Sequence, residues 1–95
     1  MLINKGFSKG DVLSIKLISG EEIIARYESD TTDSITIDRP LAITMAGQGI
    51  GMMSWIFLGG KDEVTLQKSH IIAMMTAKKD AADQYMQGTT GIALR

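Results

Sequence analysis

The chain has no cysteine, one histidine and one proline. Without cysteine it builds neither a disulfide framework nor a thiolate metal site, and a single histidine leaves a metal ion short of ligands. Nucleophilic catalysis is poorly supplied as well, because His70 sits in a polar turn with no nucleophile motif around it. Carboxylates occur in pairs at Glu21 and Glu22 and at Asp30 and Asp33. Adjacent strand residues point to opposite faces and acids in turns act as solvated caps, so neither pair reads as acid–base machinery. The stretch GQGIG at 47–51 precedes an apolar strand and not a helix, which excludes a dinucleotide loop. No enzymatic role, no metal and no cofactor is expected.

An excess of basic over acidic residues is missing too. The formal net charge is −1, whereas a protein that grips nucleic acid mainly through phosphates carries a clear basic excess. The charges are nevertheless uneven: Lys61, Lys68, Lys78 and Lys79 fall in the second half, while Glu21, Glu22, Glu28, Asp30 and Asp33 crowd the first hairpin. That leaves room for one basic and one acidic face. The longest apolar stretch, 50–58, is far too short to span a bilayer. No Arg-rich or hydrophobic leader precedes the first strand, so a cytoplasmic setting is the expectation. A hydrophobic content of 44% argues against disorder, and 95 residues suit one domain whose modest core would gain from oligomerisation.

What is present is organised around residues 13–37. Leu13, Ile15 and Leu17, then Ile23, Ala25 and Tyr27, then Ile35 and Ile37 are three period-2 runs that share one buried face, the pattern of a β-meander. Gly20 fits the first reversal and the polar cluster 29–34 the second. On the outer parity, Ile18 and Ile24 hint at cover from another element. A third strand over 34–46 contains Pro40, and Arg39-Pro40 marks a kink because proline removes a ladder donor. Gly47-Gln48-Gly49 turns the chain into a fourth run, 50–58, apolar on both parities. A fifth run, 64–75, divides around Gln67-Lys68-Ser69-His70 into two strand-like halves. A short helix over 77–88, capped by Thr76 and stopped by Gly88, follows. The expected fold is mainly β: a small, five-stranded, strongly bent antiparallel SH3-like barrel over 11–76, with an arm at 1–10, the helix, and a loose tail at 89–95. Leu2, Ile3 and Phe7 are the arm's candidate anchors.

The spacing Leu13-x-Ile15-x-Leu17-x-x-Gly20, followed by a small residue at Ala25, Tyr27 and an acidic turn from Asp30, resembles the first signature motif of the Sm/LSm family, to which bacterial Hfq belongs. The family places glycine where Ala25 stands, and this turn is one residue shorter. Lys68-Ser69-His70 is similar to the Lys-His pair of Hfq-type members, with one extra residue. The whole looks like a divergent member of the group, of a kind that phages encode. The resemblance implies an Sm-like barrel whose second-strand turn and last turn meet around the pore of a homo-oligomeric ring that binds single-stranded RNA.

By that resemblance the RNA-binding residues are Asp30, Thr32, Ser34, Lys68, Ser69 and His70. Ser34 takes the base-reading position, Thr32 the stacking position, Lys68 meets phosphate, and His70 stacks or donates. The same residues have plain structural uses as turn formers and solvated side chains. Ring assembly into about five to seven subunits is expected through unpaired edges of the fourth and fifth strands, with Met53, Trp55, Ile56, Phe57, Ile72 and Met74 at the interface. The alternative is a non-catalytic protein-interaction or assembly module on the same barrel with no nucleic-acid role.

Overall fold

The computed structural model describes residues 6–56 and 58–93, the side chains of 46 and 90–93 excepted. Within them the chain forms β1 (Val12–Leu17), β2 (Glu22–Asp30), β3 (Ser34–Ala46), β4 (Gly49–Ser54), β5 (Glu63–Gln67), a 3-10 turn (Lys68–His70), β6 (Ile71–Thr76) and α1 (Lys79–Ala93). The strands make one antiparallel sheet in the order β4-β3-β2-β1-β6, with β5 also on β3.

The meander forms because its alternation gives every strand one apolar face. Leu13 faces Ala25, Ile15 faces Ile23, and Tyr27 faces Ile37. The core is the expected set, Leu13, Ile15, Leu17, Ile23, Ala25, Tyr27, Ile35 and Ile37. Gly20 makes the first reversal with φ of 96°, a backbone that side chains resist, and its N–H donates to the Leu17 carbonyl at 2.8 Å. In the second turn Thr31 N–H donates to Ser34 O at 2.9 Å, and Thr31 Oγ1 accepts from Ser34 N–H at 3.1 Å. Phe7 packs on the Tyr27 ring at 5.8 Å between centroids; Leu2 and Ile3 lie outside the described residues.

β3 bends at Arg39-Pro40. Its first half pairs with β5, from Ser34 opposite Gln67 to Asp38 opposite Glu63, and its second half pairs with β4, from Leu41 opposite Ser54 to Ala46 opposite Gly49. Proline falls between these two ladders, where its missing N–H limits the pairing at the bend. Arg39 takes φ of 51°, its N–H donates to Asp62 O at 2.8 Å, and Pro40 O accepts from Trp55 N–H at 3.2 Å.

The strand count departs from the expected five. The fifth run is two separate strands, because the turn at Lys68–His70 carries the chain from β3 to β1: Lys68 N–H donates to Asp33 O at 2.8 Å on one side, and Ile18 N–H to His70 O at 2.9 Å on the other. Since β5 pairs with β3 and β6 with β1 across that short turn, the sheet must curl. The fourth strand ends at Ser54 and not at 58: Trp55 N–H still donates in register to Pro40 O, but Pro40 has no N–H to return the bond, so the ladder stops.

The helix is also corrected. Thr76 is the last residue of β6 and no cap, Ala77 N–H continues the pairing to Val12 O at 2.9 Å, and α1 runs from Lys79 through Gly88 to Ala93, into the expected tail. Docking overrides the glycine. Tyr85 is 0% exposed and its hydroxyl is directed at the carbonyls of Asp38 and Arg39, at 2.8 and 3.0 Å. Gln84 Nε2 donates to Ile50 O at 2.9 Å, and Thr89 Oγ1 to Tyr85 O at 2.9 Å. On the outer parity Ile24 is buried, close to the start of α1, whereas Ile18 is exposed.

Candidate functional site

The curl brings the β2–β3 turn and the 3-10 turn together at one end of the sheet. Lys68 Nζ lies 2.5 Å from Asp30 Oδ2 and 2.5 Å from Thr31 O. The other oxygen of Asp30 accepts a hydrogen bond from the Tyr27 hydroxyl. Tyr27 is a core residue, so its ring anchors in the apolar interior while its tip reaches the surface turn. Asp33 and Lys68 are joined through the backbone, and the Thr31 and Ser34 hydroxyls share a hydrogen bond of 3.0 Å.

The electrostatics follow from this geometry. The hydrogen bond to the Asp30 carboxylate, then burial, then the carboxylate's charge push the Tyr27 phenol up to about 12. Hydrogen bonds from Lys68 and then Tyr27 hold the Asp30 carboxyl below its ordinary range, with desolvation opposing them. Asp30 is thus a carboxylate fixed on both oxygens. Two of the three N–H groups of Lys68 are committed to the turn.

Of the six residues expected at the site, Asp30, Ser34 and Lys68 belong to this network, while Thr32, Ser69 and His70 lie exposed on the same two turns. No hydrogen bond joins the side chains of Thr32, Ser69 or His70 to the described residues. The end of the sheet therefore offers outward hydroxyls and one imidazole ring over an internally paired carboxylate and ammonium. The role of Tyr27 was missed, because strand parity marks it as a core residue and does not say where the tip of a long side chain arrives.

Along the margins, Met53, Ile56 and Ile72 are exposed, at 48, 47 and 62%. Trp55 and Met74 are partly buried against the core, and Trp55 Nε1 donates to the Glu21 carboxylate at 3.2 and 3.3 Å. Phe57 lies outside the described residues. Met45, Ile50 and Met75 add exposed apolar area near the β4 and β6 margins. Among the described residues no three acidic or histidine side chains converge as a metal site.

A second feature lies at the β3 corner. A cleft of about 340 Å³ opens between Arg39-Pro40-Leu41, Ser54, Ile56, Lys61, Asp62, Val64 and the Gly88-Thr89 portion of α1. Proline signalled the bend, but the walls come from segments far away in sequence. No family model matches the chain, and no curated protein matches it.

Proposed function

We propose that the curled sheet is an Sm-like barrel, and that the chain assembles as a homo-oligomeric ring that binds single-stranded RNA at its paired turns. The observation that carries this reading is the meeting of Lys68 with Asp30 and Thr31, from turns 38 residues apart in sequence. It supports the arrangement in which one protomer offers a base both a flat group and edge partners. His70 is the ring available for stacking, and Thr32 and Ser69 are hydroxyls that pair with a base edge. Lys68 reaches phosphate with its remaining N–H, or by exchanging Asp30 for the phosphate oxygen. Ring closure joins the β4 margin of one protomer to the β6 margin of the next, a heterologous contact that covers Ile72 and Met53.

Fluorescence anisotropy with U-rich and A-rich oligoribonucleotides at two salt concentrations tests the RNA reading. Salt-dependent binding is expected, weakened by joint replacement of Lys68 and His70 with alanine. No binding at tens of micromolar ends that reading.

One observation favours the assembly module instead. Lys68 is already paired with Asp30 and the formal net charge is −1, while Met45, Met75 and Ile72 stay exposed at 79, 62 and 62%. Light scattering that shows an oligomer in a protein without RNA affinity would select it.

A further inference from the structure

We infer that the cleft at the β3 corner binds a small monoanion that carries an apolar group, with its carboxylate at Arg39 and Lys61 and its aliphatic part against Leu41, Ile56 and Val64. The site is independent of the RNA reading and lies on other residues.

Charge sets the class of ligand. The cleft is lined by two cations, Arg39 and Lys61, and one carboxylate, Asp62. Asp38, just outside, is engaged by Arg26 at 3.3 Å. Lys61 is exposed and forms no ion pair among the described residues. One negative charge balances such a lining. A phosphate monoester near neutral pH is close to dianionic and overshoots, whereas a carboxylate supplies one charge and two oxygens matched to a guanidinium fork.

The guanidinium is positioned for this and under-used. Arg39 contacts Thr89 O at 3.4 Å, Asp62 Oδ2 at 3.5 Å and Asp38 Oδ2 at 3.8 Å. All three exceed the roughly 2.7–2.9 Å of a good charge-assisted hydrogen bond, so among the described residues a group with five donors lacks a close acceptor. Its backbone also adopts φ of 51°, where glycine would sit unstrained and an arginine does not. The conformation is held by Asp62 O on the Arg39 N–H and by the Tyr85 hydroxyl at the Arg39 carbonyl. Strain maintained from two sides, at a residue whose charged head lines the cleft, is the pattern of a ligand clamp. The volume, about 340 Å³, falls at the small end of ligand pockets, which span about 300–1,000 Å³. The three aliphatic side chains in the lining, Leu41, Ile56 and Val64, suit a branched hydrocarbon group.

A free aliphatic carboxylate and the C-terminal residue of a peptide share this chemistry. The test titrates the nitrogen-15-labelled 95-residue chain with N-acetyl-leucine, N-acetyl-leucinamide and a pentapeptide ending in leucine, following the amides of Arg39, Leu41, Lys61, Asp62 and Val64. N-acetyl-leucine should shift these amides saturably, and its amide should bind about tenfold more weakly, the loss expected for one charge-assisted contact. Arg39→Gly, which relieves the backbone, and Lys61→Ala, at an exposed position, should each weaken binding about tenfold while the fold is kept. A peptide that binds more tightly than N-acetyl-leucine identifies a protein C-terminus as the ligand, and equal affinity identifies the free carboxylate. Equal affinity for acid and amide, no saturable shift with either carboxylate, or wild-type binding by both variants would overturn the inference.

Discussion

Replacing Tyr85 with phenylalanine removes one oxygen and leaves the buried ring in place. That oxygen faces the carbonyls of Asp38 and Arg39 at 2.8 and 3.0 Å, at the corner where β3 changes partner. Losing the donor strands acceptors beside a packed ring, which costs about 1–2 kcal/mol. For a chain of this size the corresponding fall in Tm is roughly 5–15 °C. Tyr85→Ala also opens a cavity at a residue that is 0% exposed, so its cost rises to about 3–5 kcal/mol. Urea unfolding followed by Trp55 fluorescence and by far-ultraviolet circular dichroism reads both variants, with an unchanged m-value expected for Tyr85→Phe. Alkaline titration supplies an independent reading. Burial pushes the Tyr85 phenol from 10.0 to about 12, so folding favours its neutral form. The stabilisation is complete below pH 10 and is lost as the pH rises to about 12. Tyr85→Phe should lose less stability than wild type over that interval, with Tyr27 contributing the remainder. A phenylalanine variant with the wild-type urea midpoint and the wild-type alkaline loss would refute the assignment of this hydroxyl as the link between helix and corner.

Ala25→Leu should overpack the interior by about 1–3 kcal/mol, measured by denaturant melts; a silent change would mean that the residue does not face the core. Gly20→Ala meets open space but must hold φ of 96°, so a purely conformational loss of about 1–2 kcal/mol is expected from the same melts. Because Lys68 and Tyr27 hold the Asp30 carboxyl below its ordinary 3.8, their stabilisation persists above that value and is lost as the pH falls through the lower one. Carboxyl carbon shifts of Asp30 followed through acid titration check this, and a midpoint at or above 3.8 contradicts it. On the proposed ring reading, Met53→Lys should lower the mass seen in light scattering without lowering the melting temperature, and an unchanged oligomeric mass removes Met53 from the proposed interface.

The buried face of the meander was legible because period-2 alternation depends on little besides strand geometry, and all eight residues from Leu13 to Ile37 on that parity enter the core. The kink was legible from Pro40 for a similarly local reason. Gly88 misled because its propensity speaks of an isolated helix, and here Tyr85 and Thr89 dock the segment from both sides of it. The end of β4 was hidden because 50–58 is apolar on both parities, and composition alone does not reveal that Pro40 lies opposite Trp55 with no N–H to continue the ladder. The nearness of Asp30 and Lys68 came from resemblance and not from spacing. The corner cleft was beyond reach, since its lining draws on Arg39, on Ile56, Lys61 and Asp62, and on Thr89, which are far apart in sequence.

The position of β1 has a consequence for the order in which the molecule is completed. β1 pairs on one side with β2, a short turn away, and on the other with β6, where Leu13 meets Thr76. A chain made from its N-terminus acquires the first partner early and the second only after nearly all the other strands exist. Until then the Leu13 and Ile15 strand has one margin of backbone N–H and C=O groups open to any extended segment that passes. Such distant pairing slows closure, because the loop entropy is lost before the contacts form. The nascent meander is therefore most exposed to mispairing in the interval before residues 71–76 arrive, and a truncated product lacking them keeps that adhesive edge for its lifetime.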